Sequence, residues 1–332
     1  MKIAIIGVGY WGPNLTRNFA KHPDVESVVC FDLKKERLER VVKDFPGIDV
    51  ASSYDQILRD KTINGVVIAT PLSSHFELAK AALEQKKHVL IEKPMTGSTQ
   101  EAAELIDLAE KNSCALMVDH TFVYNGAVQK MRDLIDSKEI GDILYYDAVR
   151  VNLGLFQGDI NVVWDLAPHD ISIMDFLLNK KPVAVSAVGW SHYDKYEDIA
   201  YVTMFFADNC IAHVHVSWLA PVKVRRILIG GSNKMIVYDD MEAFEKIKIY
   251  DKGVEVTTKE EVDKILVQYR MGDMYAPKFG TTEPLAAVAN EFVESINARR
   301  KPLTDGVAGL NIIRILEAAE KSIKNKGLVV EL

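Results

Sequence analysis

The sequence predicts an α/β protein: a doubly wound parallel sheet at the amino end, then an α+β portion with a mostly antiparallel, open sheet. Three observations carry this. Up to about residue 118, short continuous apolar runs alternate with stretches of helical periodicity, as in buried parallel strands joined by crossover helices. Beyond about residue 183, strand candidates follow one another without intervening helices, which makes neighbours antiparallel. The first apolar run also ends in three glycines spaced G-x-G-x-x-G, at Gly7, Gly9 and Gly12.

The first half reads in order. Lys2 to Ile6 is a buried strand, and Pro13 stands where the first turn of a helix tolerates a missing N–H. Val28-Val29-Cys30-Phe31 is a second strand. Leu38, Val41, Val42 and Phe45 recur on one helical face, and Asp55 to Leu58 reads as a short helix. Gly65 to Ala69 is a continuous apolar strand and His88 to Ile91 the next strand; helices near Phe76–Gln85 and along Ala102, Leu105, Ile106 and Ala109 follow them. Cys114 to Val118 closes the series. In such a sheet ligands lie beyond the carboxyl ends of the strands. Gly7 to Gly12, Asp32, Thr70-Pro71, Lys93 and His120 all fall at such ends.

The glycine motif has chemistry attached. Gly7 permits a tight turn, Gly9 lets backbone approach a pyrophosphate, and Gly12 lets helix and strand pack closely. Tyr10 and Trp11 lie within the loop. The helix start offers free N–H groups to phosphate oxygens. Asp32, twenty residues after Gly12 at the end of the second strand, is placed for a ribose diol. The expectation is a Rossmann domain binding NAD; a carboxylate at Asp32 repels the extra phosphate of NADP, although Lys34 and Lys35 stand close by in the chain.

After about residue 120 the character changes, and the expected domains are 1–120 for the cofactor and 121–332 for substrate binding and oligomerisation. A helix over Val128, Met131, Leu134 and Ile135 leads into a strand-like run from Ile143 to Asn152. Trp164 to His169 opens a further helix, with Pro168 requiring its start close by. Strands follow at Val183–Trp190, Ile199–Phe206, Cys210–Trp218, Val222–Ile229, Met235–Tyr238 and Lys246–Tyr250. Two helices end the chain, one from about Glu283 and one opening at Asp305-Gly306. On the third of these strands Ala212, Val214 and Val216 face one way, and His213, His215 and Ser217 the other. His213 and His215 are half of a metal site at most, and no metal is expected.

Composition narrows the partners. The 332 residues carry a net charge of −7 without a long basic run, which argues against nucleic acid. No apolar stretch approaches the roughly 18 residues of a membrane span, and the first strand begins too early for a signal peptide to precede it. Cys30, Cys114 and Cys210 are odd in number and set among apolar residues, so reduced thiols and a cytoplasmic location are expected.

Thr70-Pro71-x-x-x-His75 followed by Glu92-Lys93-Pro94 after a strand, together with the glycine motif, resembles the Gfo/Idh/MocA oxidoreductases. The resemblance implies that Lys93 reaches the substrate and that Thr70, Pro71, His75 and Glu92 line the cofactor groove. It implies an Asp-x-x-x-His catalytic pair at Asp165 and His169, and an open sheet face that joins subunits into a homodimer or homotetramer. The chain departs from the family pattern at Ala167-Pro168, where relatives commonly carry glycine. It departs again at Val123-Tyr124-Asn125-Gly126, where many have arginine and proline at the first and last positions. Tyr124 and Asn125 are the substrate candidates of that segment.

Chemistry assigns the roles further. Asp165 and His169 are four apart and share a helical face. Oxidising a secondary alcohol removes a hydride, taken by nicotinamide, and a proton, for which His169 is suited near neutral pH. Lys93 is suited to stabilise the developing alkoxide, and Asp165 to orient the histidine or the lysine. Trp218-x-x-Pro221-x-Lys223-x-Arg225 and Glu283-Pro284-Leu285 resemble the branch acting on nucleotide-linked sugars, the UDP-N-acetylglucosamine-type 3-dehydrogenases. Lys223 and Arg225, two apart on a strand, would then meet a diphosphate. The alternatives are a dehydrogenase of free sugars or inositol, a deoxysugar ketoreductase, and an NAD-binding regulator without activity.

Overall fold

The computed structural model describes residues 1–154, 156, 158–255 and 268–332. The chain forms two compact units, Met1–Tyr124 with Thr282–Arg314, and Asn125–Thr281 with Ile315–Leu332.

The first unit holds a six-stranded sheet in the order β3-β2-β1-β4-β5-β6, every neighbour parallel. Its strands are β1 (Lys2–Ile6), β2 (Ser27–Phe31), β3 (Asp49–Val50), β4 (Ile63–Ile68), β5 (His88–Glu92) and β6 (Leu116–Asp119). Its helices are α1 (Gly12–Ala20), α2 (Lys35–Asp44), α3 (Tyr54–Arg59), α4 (His75–Glu84) and α5 (Thr99–Asn112). Helices on both faces explain the unbroken apolar strands: Ile3, Ala4, Ile5, Val66, Leu90 and Met117 are all fully or almost fully buried. The chain winds outward from β1 in one direction through β2 and β3 and in the other through β4 to β6. A crevice therefore opens beyond the carboxyl ends of β1 and β4. Ser53 and Ser98 start α3 and α5 by accepting the N–H groups of Gln56 and Glu101 at 3.1 and 3.2 Å.

Residues 282–314 depart from the expected division at residue 120, because they complete this unit. Helix α8 (Pro284–Ala298) lays Leu285, Val288 and Phe292 inward, and the Phe292 ring meets Phe19 edge-on with centroids 6.1 Å apart. Gly65 makes room: a Cβ there would lie 3.0 Å from the Phe292 ring. Val118 N donates to Thr304 O at 2.8 Å and Thr304 Oγ1 to Val118 O at 2.7 Å, sealing the outer edge of β6.

The second unit holds α6 (Gly126–Asp136), α7 (Val162–Leu178) and a nine-stranded sheet. The strands are β7 (Ile143–Leu153), β8 (Ala184–Trp190), β9 (Ile199–Phe205), β10 (Ile211–Ser217), β11 (Leu219–Gly231), β12 (Met235–Asp239), β13 (Ile247–Glu255), β14 (Gln268–Tyr275) and β15 (Val330–Glu331). Their order is β14-β13-β12-β11-β7-β10-β9-β8-β15. Only the β7–β10 pairing is parallel among the pairings described. Helix α9 (Gly306–Lys324) runs on into this unit, where Ser322 Oγ takes a hydrogen bond from Ala187 N at 2.8 Å. Ala212, Val214 and Val216 point inward and are fully buried; His213 and His215 lie on the other face. There Tyr201 stacks on His215, centroids 4.4 Å apart, and His213 Nδ1 meets Thr203 Oγ1 at 3.1 Å.

Truncating Phe292→Ala removes a ring that closes the first unit's core. It should cost about 3–5 kcal/mol of unfolding free energy in a urea titration. A loss below about 1 kcal/mol would mean that α8 is not part of that core.

Candidate active site

In the first unit the glycine loop is built by close backbone approach. Gly7 takes φ +88°, and a Cβ on it would stand 2.6 Å from the Ala69 carbonyl oxygen. A Cβ on Gly12 would stand 2.2 Å from Gly7 O, so no side chain fits at either position. At Gly9 the nearest atom to such a Cβ is the flexible Arg37 guanidinium, 3.3 Å away. What Gly9 keeps open is the approach to the loop itself, as a pyrophosphate requires. Trp11 caps α1 without a side-chain hydrogen bond; Pro13 has no N–H and Asn14 N donates to Trp11 O at 2.9 Å, so the helix start presents the Gly12 N–H to an anion. Tyr10 is largely exposed and meets Trp11 edge-on at 5.3 Å. These features fit a dinucleotide.

Asp32 follows β2 and is more engaged than the sequence shows. Its Oδ2 accepts Val8 N at 2.9 Å and its Oδ1 accepts Lys34 N at 2.8 Å, which ties the glycine loop to the start of α2. The Arg37 guanidinium lies 3.4 Å from Oδ2. A carboxylate has about four acceptor sites, so capacity remains for a ribose hydroxyl. Arg37 escaped the sequence reading; an arginine five positions after the acid was the available signal.

Past β4 and β5 two turns are clamped together. His75, first residue of α4 and 1% exposed, bridges them: its Nε2 lies 2.8 Å from Thr70 O and its Nδ1 2.9 Å from Pro94 O. Burial holds its pKa below the usual histidine range. His75 is thus a brace between the Thr70-Pro71 and Glu92-Lys93-Pro94 turns, a correction to its expected place lining the groove. Ser74 Oγ donates to Thr70 Oγ1 at 2.8 Å, shaping the same turn. At the next strand end Asp119 and His120 are each 1% exposed. Burial lifts the Asp119 carboxyl to about 6 and pushes His120 down to about 3, Lys93 adding to the second effect. Burial first, then the neighbouring Asp119, raises Glu92 well above the usual carboxylate range.

Tyr124 and Asn125 both carry structural hydrogen bonds. Tyr124 is buried and shares a 2.9 Å hydrogen bond with Thr304 Oγ1. Asn125 Oδ1 accepts Ala127 N at 2.9 Å as the N-cap of α6.

In the second unit α7 starts a turn earlier than its proline suggested. Asn161 is the cap, its Oδ1 accepting Val163 N and Trp164 N, each at 3.1 Å. Pro168 lies inside the helix, where it only withholds an N–H from the Trp164 carbonyl. Asp165 therefore does not cap; its Oδ2 accepts the indole Nε1–H of buried Trp218 at 3.1 Å. From Val162 to Met174 every residue is buried except Asp165, Leu166 and His169. The neighbour of His169 anchors the helix: Asp170 takes a bidentate pair from Arg150 of β7, at 2.6 and 3.1 Å, with both side chains almost fully buried. Asn161, Arg150, Asp170 and Trp218 were not singled out for these roles in the sequence.

Lys223 and Arg225 do not form the regular pair expected. Leu219 opposes Leu153 and Val224 opposes Val151, so residues 220–223 bulge against Asn152 alone. The simple alternation of faces fails across that bulge. Lys223 is exposed, whereas Arg225 lies 3.4 Å from Asp240. Among the described residues no cluster of three His, Cys, Asp or Glu gathers to hold a metal, and no helix is long and apolar enough to cross a membrane.

Comparison with known proteins extends these findings. Residues 1–120 match the Gfo/Idh/MocA oxidoreductase family, NAD-binding Rossmann fold, and residues 128–237 match the Gfo/Idh/MocA C-terminal domain. The UDP-N-acetylglucosamine 3-dehydrogenase of Acidithiobacillus ferrooxidans is 28% identical over 327 residues, 94% of each chain. A solved structure of that enzyme superposes with a TM-score of 0.83 at 25% identity, covering 98% of both chains. The scyllo-inositol 2-dehydrogenase (NADP(+)) of Bacillus subtilis is 24% identical, over 99% of this chain and 97% of its own.

The buried imidazoles make stability depend on acid. The unfolded chain protonates His75 and His120 as pH falls through about 6.5, whereas His120 in the folded chain resists down to about 3. His120 therefore withdraws about 1.4 kcal/mol of stability per pH unit below about 6.5, and His75 acts in the same direction. Asp119, with its pKa raised to about 6, works in the opposite sense, so the variant rather than the raw slope is informative. Between pH 7 and 5, His120→Asn should lose about 2 kcal/mol less stability than the parent in paired urea titrations. Equal losses would place a charged imidazole in the folded state.

Proposed function

This chain belongs to the Gfo/Idh/MocA family of NAD-binding oxidoreductases, and from that membership we propose that it oxidises a ring carbinol of a nucleotide-linked sugar, at C3. The burial pattern of α7 carries the catalytic part: the otherwise buried turn keeps Asp165 and His169 within reach of solvent. Asp165 is free of capping duty, and the Arg150–Asp170 pair holds the backbone beside His169. The full-length likeness to a UDP-sugar 3-dehydrogenase supports the substrate class.

Bound at the glycine loop, NAD supplies the hydride acceptor. The protein's own groups do the rest in this reading. His169 takes the hydroxyl proton as general base. The Lys93 ammonium donates a hydrogen bond to the same oxygen as negative charge develops on it. Asp165, fixed by Trp218, orients the imidazole. Lys223 offers the diphosphate a cation from the bulge of β11. A second reading, oxidation of a free sugar or inositol, draws on Arg225: its pairing with Asp240 leaves the diphosphate fewer cations than the sequence promised.

We place a second copy of the chain on the open face of the nine-stranded sheet. Val188, Trp190, Tyr201 and Ile211 expose apolar surface there. Ile211→Asp should then lower the mass seen by sedimentation; an unchanged mass would remove this face as the contact.

Two kinetic outcomes test the reaction. A panel of UDP- and TDP-sugars, free sugars and inositols, followed by NADH formation, should show turnover of a UDP-sugar. Turnover of free polyols alone would reassign the substrate. His169→Ala should lower kcat by about 10²–10⁴-fold with NADH affinity unchanged, and retained turnover would remove His169 as the base.

A further inference from the structure

The carboxyl ends of β5 and β6 bring two acids together that the reaction above does not use. Glu92 and Asp119 are directly opposed in the parallel ladder, so their side chains leave the sheet at the same level. The two buried carboxyls are near enough to act on each other's ionisation. Two carboxylates side by side out of water repel, which favours a proton on one of the pair. The remaining valences agree. Asp119 Oδ1 accepts the Thr121 hydroxyl at 2.7 Å, while Oδ2 is wholly buried and no N–H or hydroxyl reaches it. A buried carboxylate oxygen without a donor is costly, and a proton on Glu92 satisfies it.

The surroundings set the charge. Lys93 follows Glu92 directly, and its ammonium acts on Glu92, Asp119, His120 and His75. His120 is buried with both ring nitrogens unpartnered, so it adds no charge of its own beside the lysine. His75 is bridged to two carbonyls, and Tyr124 is hydrogen-bonded to Thr304. Two ionised carboxylates in such a dry pocket would repel strongly, and two neutral ones would offer the ammonium no negative charge.

We propose that Glu92 and Asp119 share one proton and act as a single-charge counter-ion for Lys93, with Asp119 a positioning residue that keeps the ammonium aimed. The proposal rests on Lys93 being the substrate-facing ammonium. On ionisation of the pair one proton leaves to solvent; the second stays between the carboxyls, held by Glu92 and donated to Asp119 Oδ2.

Infrared spectra of the full-length protein at pH 7, in H2O and in D2O, test the shared proton without any turnover. The parent should show one protonated-carboxyl band that shifts in D2O. Glu92→Gln and Asp119→Asn should each abolish it, because the acid left alone beside Lys93 ionises. No such band in the parent, or a band surviving in either variant, would overturn the proposal. A pH titration of the parent decides the matter even if a variant does not fold: the band must vanish above neutral pH in a single step.

The counter-ion role has its own readout. In NADH formation the alkaline limb of kcat against pH should move by less than about half a unit in either single variant, since one negative charge remains. In the double variant it should move down by about one unit or more. Equal shifts in single and double variants would overturn that role. A chain that oxidises none of the sugars tested but shows the band would retain the shared proton and discard the assigned reaction.

Discussion

The buried pair of Arg150 and Asp170 is the interaction on which the second unit's candidate chemistry depends. A guanidinium and a carboxylate taken almost wholly out of water hold together only when their geometry is good, and breaking such a pair is costly. Here the fork is bidentate, and the Tyr146 hydroxyl donates to the Asp170 carbonyl at 2.8 Å. One residue of α7 is thereby pinned to β7 in two ways. His169 precedes it in the chain and inherits its position. Asp165, a turn earlier, is fixed separately by Trp218. The helix thus owes its place to contacts on its buried side, while Asp165 and His169 stay partly exposed.

The first unit solves the same problem with backbone rather than with charge. The contacts of Gly7 with the chain at Ala69, and of Gly12 with Gly7, exclude side chains altogether. Asp32 then ties that loop to α2, and His75 ties the two later turns to each other. A parallel sheet brings all of these strand ends to one edge, so short links between neighbouring turns are enough to shape a ligand surface. The cluster of Glu92, Asp119 and His120 beneath Lys93 is the part of that edge where burial and charge conflict most.

What the sequence made legible follows from this division. Strands covered on both faces must be apolar throughout, so β1, β2, β4, β5 and β6 could be read directly, as could glycines required by close approach. Strands of two residues, β3 and β15, carry no pattern. The proline in α7 misled because a helix can do without one N–H, and the cap at Asn161 lies four positions before Asp165. Tyr124 and His75 are polar residues beside recognisable motifs, but their partners, Thr304 and Pro94, are supplied by the fold. The face of α8 was readable; the sheet that it covers was not, since periodicity names a buried side without naming its neighbour.

The bulge of residues 220–223 separates two kinds of change. Those four residues answer to one residue of the neighbouring strand, and the ladder resumes in order at Val224. Their side chains can be exchanged, or the stretch lengthened by a residue, while the hydrogen bonds on either side keep their register. Glycines at the dinucleotide loop have no such latitude. Selection acting on this protein can therefore rework what the bulge presents, Lys223 included, without touching the elements that hold the cofactor.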